Sequence, residues 1–197
     1  DFTSTMIAKL STANITAVTT AQIAALTSTT VGGIETQDLS KLTVSQIKAL
    51  TSDNIVGLTS TQMAELTPAQ LAVILSGANS PFSVLTPTEL GGLDTNVTGL
   101  TTAQINSMSA AQVAGLSTIA IASMLTAQTK ALTATNVVNL SSDQLAVMTS
   151  AQLAAMDPAD IDALVAAQIA GFCINVKGLT AAQLALWDAT QVAGLSD

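Results

Sequence analysis

From Leu42 to Val73 the chain reads LTVSQIKA, LTSDNIVG, LTSTQMAE, LTPAQLAV, four eight-residue units with no gap between them. Position 1 is Leu, position 2 is Thr, position 5 is Gln or Asn, and position 6 is apolar. Thr or Ser followed three residues later by Gln is the signature of a capping box at a helix start. In the fourth unit this makes Thr67 the N-cap and Gln70 the third helical residue. The hydroxyl of Thr67 then accepts from the Gln70 backbone N–H. The Gln70 side chain reaches back to the N–H of Thr67, so two donors that a helix start leaves unpaired are satisfied. Positions 1 and 6, here Leu66 and Leu71, fall where a hydrophobic staple joins the residue before the cap to the fourth helical residue.

Proline and glycine fall in the same frame. Pro68, Pro87 and Pro158 all occupy position 3, the first helical residue, where a missing N–H costs nothing. Gly33, Gly57, Gly92, Gly115, Gly171 and Gly194 occupy position 8, where the sequence predicts the helix to stop and the chain to turn. Each octad therefore reads as one very short helix that ends and restarts.

A continuous helix fails on geometry. Eight residues at about 100° each overshoot two turns by about 80°, so the apolar stripe would wind around the helix with no partner to bury it. A β-solenoid is the alternative, because Thr, Val and Ile favour strands. Against it, the apolar spacing alternates five and three rather than following period two, and Ala, Gln, Leu and Met favour helix. The predicted fold class is all-α: a repeat solenoid of very short capped helices, one per octad, with positions 1 and 6 facing a shared axis. Two to four octads, centred on three, are expected in each coil.

The frame opens at Phe2 and divides the chain into three stretches. Residues 2–73 form a first octad array. Residues 74–99 hold an insertion, ILSGANSPFSV, three residues too long, and a short unit, LDTNVTG. Residues 100–197 continue the same solenoid, with a second short unit from Phe172 to Gly178. The pattern is already running at Phe2 and still running at Leu195. Arrays normally close with atypical capping units, so a slice of a longer array, with neighbouring repeats beyond both ends, is the expectation; Phe2 and Trp187 as weak end plugs come second.

Composition narrows the function. The net charge is −8, and Lys9, Lys41, Lys48, Lys130 and Lys177 are the only cations, with no Arg or His. Nothing here neutralises a row of phosphates, so nucleic-acid binding is not expected. Mean hydropathy is +0.54, yet Ser, Thr, Gln or Asn interrupts every octad and no apolar run approaches the roughly 20 residues of a membrane span. Aromatic residues make up 2%, so the core must be aliphatic.

No catalytic, cofactor-binding or metal-ligating residue is assigned, and the chain is not expected to be an enzyme. Hydroxyls are plentiful, but no His stands by as base. The densest acidic group, Asp157, Asp160 and Asp162, has the oxygen chemistry calcium prefers but not the spacing of an EF-hand; Asp157 is explained as a cap and Asp160 as the capping-box acid. Cys173, the lone cysteine, sits at a cap position and reads as a small half-buried residue, with an intermolecular disulfide or a reactive thiol as the alternative. Asn14, Asn96 and Asn139 open glycosylation-type triplets, but the first two occupy the Gln slot.

Two resemblances follow from these residues. LTPAQLAVILS (66–76) resembles the opening of a TAL-effector DNA-binding repeat, but over one helix start only; the longer repeat and basic DNA path of that family are absent. The wider pattern LTxxQIxAL resembles low-complexity arrays in very large secreted or surface proteins of Gram-negative bacteria, adhesin-like and haemolysin-like ones among them. That resemblance implies an extracellular or cell-surface location and a structural role as rod, spacer or filament, with lateral self-association open to it. Adhesion or ligand binding along one solenoid face is the alternative.

Overall fold

The computed structural model describes residues 4–7, 9, 12–74, 81–172 and 175–195. Among them lie twenty α-helical segments of four to seven residues, interspersed with short 3-10 turns, and no strand. The chain is an all-α array of very short helices, and the β-solenoid alternative is set aside.

The local cause is the octad. Position 2 takes extended backbone, as at Thr59 (φ −88°, ψ 162°), and the helix Ser60–Glu65 begins at the next residue. It runs less than two turns and ends at Leu66, which is extended again (φ −68°, ψ 130°). A closing bond recurs at this end: the N–H of position 1 donates to the carbonyl of the preceding position 6, as in Leu58 to Ile55 (2.9 Å) and Leu116 to Val113 (3.2 Å). Two extended residues then re-aim the chain for the next helix. Pro68, Pro87 and Pro158 are each the first residue of a helix, where the sequence places them.

Positions 1 and 6 build the core. Leu42, Ile47, Leu50, Ile55, Leu58, Met63, Leu66 and Leu71 are all buried, and the pattern persists through Leu164 and Ile169 in one continuous cluster. Positions 2 to 4 stay outside, as Thr43, Val44 and Ser45 do. Burying one aliphatic side chain contributes about 1.5–3 kcal/mol, so a column of some forty such residues drives the coiling.

Each helix packs on the helix three octads away. Val44–Lys48 lies against Pro68–Ile74, and Thr126–Lys130 against Ser150–Ala155. The side-chain bonds between coils join residues 28 to 31 apart, between three and a half and four octads. The coil is thus slightly wider than the three octads on which the sequence expectation centred, because the stacking partner of a Gln lies at the junction between two octads rather than above one.

Packing continues across the irregular stretch. The turn Pro81–Val84 packs on Ser52–Ile55, Pro87–Leu90 on Ser60–Glu65, and Asp94–Gly99 on Pro68–Ile74. Residues 75–80 of the insertion lie outside the described residues. Phe82 fills the core beyond it, 2% exposed. The short unit at 93–99 loses its cap, and the chain turns instead through Asp94, the one non-glycine residue with positive φ (39°) among those described. It forms a 3-10 helix, Asp94–Gly99, in place of an α turn.

The glycines at position 8 need a different explanation from the turning role read in the sequence. Gly33 and Gly194 keep right-handed φ values of −84° and −64°, so no left-handed turn is involved. The constraint is close approach of the coils. A Cβ on Gly57 would lie 1.8 Å from the carbonyl oxygen of Ser28, and one on Gly92 would lie 1.9 Å from that of Ser60. Gly57→Ala is therefore expected to destabilise the fold by about 1–3 kcal/mol through forced separation of backbones. Gly91→Ala, whose nearest contact is 3.0 Å, should cost less. Urea unfolding of the two variants checks the order.

Candidate functional site

The chemistry of the chain is concentrated at position 5. This polar residue is buried: Gln46, Asn54, Gln62, Gln70, Gln112, Gln128, Gln144 and Gln152 are all at most 5% exposed. Burying an amide is tolerable only when its polar atoms are bonded, and here one side chain works in two directions. The Oε1 of Gln62 accepts from the backbone N–H of Thr59 (2.8 Å), and the Thr59 hydroxyl accepts from the Gln62 N–H (3.2 Å), completing the box. The Nε2 of the same Gln62 donates to the preceding coil, to Val31 O (3.1 Å) and Ile34 O (2.7 Å).

Those acceptors lie at the C-terminal end of a short helix: Val31 O also takes the closing N–H of Ile34 (3.1 Å), and Ile34 O belongs to the extended link just beyond. Each Gln therefore satisfies the N-terminus of its own helix and the C-terminus of a helix one coil earlier. The arrangement repeats at Gln46 on Val18, Gln70 on Leu42, Gln144 on Leu116, Gln152 on Met124 and Gln168 on Leu140, every one across 28 residues and at 2.6–2.8 Å. Asn is one methylene shorter and holds less: Asn54 reaches Ile23 O alone (3.2 Å), and Asn136 reaches Ile105 O alone (3.2 Å).

The sequence reading found the box and missed the clamp. A signal was present: a capping box accepts Glu as readily as Gln, yet at position 5 Glu occurs only once, at Glu89, against a majority of amides. Only an amide supplies a donor as well as an acceptor. Caps, in contrast, tolerate loss. Leu125 and Val165 have no side-chain acceptor, but Gln128 and Gln168 still take their backbone N–H groups at 2.8 and 2.9 Å.

The departures at position 5 carry the electrostatics. Asp38, Glu89 and Asp160 replace the amide with a carboxyl and are buried. Glu89 keeps the cap bond to Thr86 N–H (2.6 Å). One oxygen of Asp38 and one of Asp160 are buried without a partner, because the preceding coil offers carbonyls and the carboxylate has no proton to give. Burial pushes the Asp160 pKa up, the nearby Asp157 charge adds to this, and backbone N–H groups of Ala134 and Asp157 oppose it. Gln104 fails differently. It keeps its bond from Thr101 N–H, yet its buried Nε2 is unpaired. Four units earlier in the frame lies Pro68–Ile74, the longest helix among the described residues, which continues past the point where its carbonyls would open.

Asp157, Asp160 and Asp162 do not converge. Asp157 and Asp162 are exposed while Asp160 is buried, and among the described residues no three such side chains are grouped to hold a metal ion. Asp157 precedes its helix without making a side-chain cap bond, so the capping role read in the sequence does not hold for it. Of the glycosylation-type asparagines, Asn96 donates to Ala64 O (2.5 Å) between coils and Asn139 is exposed. Cys173 lies outside the described residues. One shallow open groove is lined by Glu35, Thr36, Gln37, Thr59 and Thr61, where Gln37 Nε2 donates to Glu35 (2.9 Å). No helix among the described residues is long and apolar enough to cross a membrane.

Stacked, clamped short helices define a helical repeat region. The family model of the ALTTAQ repeat matches residues 31–68, the stretch holding the clamps of Gln46, Gln62 and Asn54. None of the curated proteins matches the chain.

Two substitutions test the clamp. Gln62→Asn should cost about 1 kcal/mol, and Gln62→Glu about 3 kcal/mol at neutral pH, because the latter leaves buried carbonyls facing a carboxylate; denaturant titration measures both. For Asp160 the folded-state pKa is raised, so the folded state binds the proton more tightly than the unfolded state. Its contribution is fully favourable below about pH 4 and is lost as pH rises through the raised value. Asp160→Asn should remove that dependence and stabilise the neutral-pH protein by about 1 kcal/mol, read from Tm against pH beside the parent.

Proposed function

We propose that this chain is a structural repeat region, a rod or spacer, of a secreted or cell-surface bacterial protein, and that it carries out no catalysis. The observation that carries this reading is the clamp register, repeated from Gln46 to Gln191 without a change of direction. Contacts that link each coil only to its neighbours make an object that grows along one axis, with stability summed coil by coil. Such an object separates the modules at its ends by a distance set by repeat number.

Composition supports the same reading. A net charge of −8 with no Arg or His leaves a Thr- and Ala-rich exterior suited to solvent. The likeness of the octad to arrays in large surface proteins of Gram-negative bacteria supports the location. A binding module is the second reading, favoured by the open groove at Glu35, Thr36 and Thr61. Substitutions at Thr36 and Thr61 that abolish adhesion without changing the length of the particle would favour it over spacing.

Small-angle scattering tests the rod. An elongated distance distribution is expected, with a linear cross-section region and a length growing by roughly 8–10 Å per coil, the usual spacing of packed helices. A symmetric, compact distribution would overturn the reading.

A further inference from the structure

Three triplets in the chain have the Asn–X–Ser/Thr form that accepts an N-linked sugar, opening at Asn14, Asn96 and Asn139. The fold treats them differently. Asn14 and Asn96 lie in helical backbone, in Thr12–Ile15 and Asp94–Gly99. In both, the hydroxyl of the triplet turns back on the preceding turn: Thr16 Oγ1 donates to Ala13 O (2.8 Å) and Thr98 Oγ1 to Thr95 O (3.1 Å). The Asn96 amide is also spent, because its Nδ2 donates to Ala64 O one coil earlier. A sugar on that nitrogen would have to enter the space between two packed coils.

The third triplet falls across the link between two helices, in the interior of the array. Asn139 closes the 3-10 turn Val137–Asn139, and Leu140 (φ −58°, ψ 133°) and Ser141 (φ −77°, ψ 160°) follow in extended backbone. Successive side chains along extended backbone point to opposite sides. Leu140 is buried in the core, while Asn139 and Ser141 are both exposed. The amide and the hydroxyl thus stand together on the outside, with the leucine anchoring the link between them. Ser141 Oγ accepts from the Gln144 N–H (3.1 Å), so its own O–H is not tied to a carbonyl as those of Thr16 and Thr98 are. Among the described residues no bond holds the Asn139 side chain. The clamp does not use it either: Gln168 Nε2 reaches this link through backbone carbonyls, Val138 O (3.0 Å) and Leu140 O (2.7 Å).

We propose that Asn139 is a site of N-linked glycosylation on the folded chain, and that the coil contact of Asn96 protects the second triplet from the same reaction. Transfer forms a bond between Asn139 Nδ2 and the anomeric carbon of the sugar. The bond from that carbon to a diphosphate oxygen breaks, the diphosphate leaves with the electron pair, and the amide gives up one proton. The donor is therefore a sugar activated as a diphosphate ester, carried on a nucleotide or on a lipid. The sugar sits on the outer surface of one octad and leaves the box of Gln144 and the clamp of Gln168 in place. A rod and a binding module would carry it equally well.

Two donors test the site on the purified, folded 197-residue chain. One is UDP-glucose with a soluble asparagine-directed glycosyltransferase. The other is a lipid-linked oligosaccharide with a membrane oligosaccharyltransferase. Intact mass should rise by one glycan with at least one of them, and peptide mapping should place it on Asn139. Transfer from only one donor would support the site and identify the carrier. Occupancy at Asn96 should be roughly tenfold lower or less, since reaching it requires local opening of a coil, whereas a free synthetic peptide around Asn96 should accept the sugar. Asn139→Gln should abolish the mass gain with helical circular dichroism unchanged. Ser141→Thr, which keeps both hydroxyl and cap, should retain it. A folded chain that gains no sugar from either donor, or gains as much at Asn96 as at Asn139, would overturn the proposal. Refusal of the free Asn96 peptide would overturn the protection assigned to the coil contact.

Discussion

One side chain bonded in two directions holds this structure up. A helix of five residues leaves more backbone groups open than it closes, and in isolation it would not form. The position-5 amide closes both deficits. Its oxygen caps the helix it belongs to, and its nitrogen takes the carbonyls left open one coil earlier, as Gln62 does between Thr59 and Ile34. Local structure and tertiary packing thus depend on the same atoms. A helix without its stack lacks acceptors for its Gln, and a stack without the boxes lacks Gln side chains held in place.

The rest of the molecule follows from that coupling. Aliphatic positions 1 and 6 fill the space that the clamps enclose, and few aromatics are needed because each coil is narrow. Phe172 and Trp187, stacked at 6.3 Å, are a local exception near the last coil. Glycine at position 8 is required where backbones of adjacent coils meet, as at Gly57 over Ser28. Where the amide is replaced, the cost is visible as a buried unpaired atom at Asp38 and Asp160, and Gln104 keeps the amide but leaves its Nε2 unpaired. The array tolerates these because its neighbours on either side remain clamped.

Much of this is legible in the sequence, and the division is physical. Caps, first-turn prolines and the apolar pair are local features, and Thr67, Pro68, Gln70, Leu66 and Leu71 take the places the octad assigns them. The coil register is not local. It depends on how far two extended residues swing the chain between helices, and no single octad encodes that angle. The clamp was half legible: the preference for Gln over Glu at position 5 marks a need for a donor, but its acceptors lie about thirty residues away. The glycines were misread because both a turn and a close approach demand the missing Cβ, and only the φ values separate the two causes.

Side-chain amide hydrogen exchange, followed by NMR on assigned Gln residues, tests the clamp most directly. The Nε2 protons of Gln62, Gln70, Gln144 and Gln152 should exchange slowly, on the timescale of coil opening, while those of the exposed Gln37 should exchange nearly as fast as a free amide. Equal, fast exchange at all five would show that the interior amides are not clamped between coils, and the stack would need another explanation.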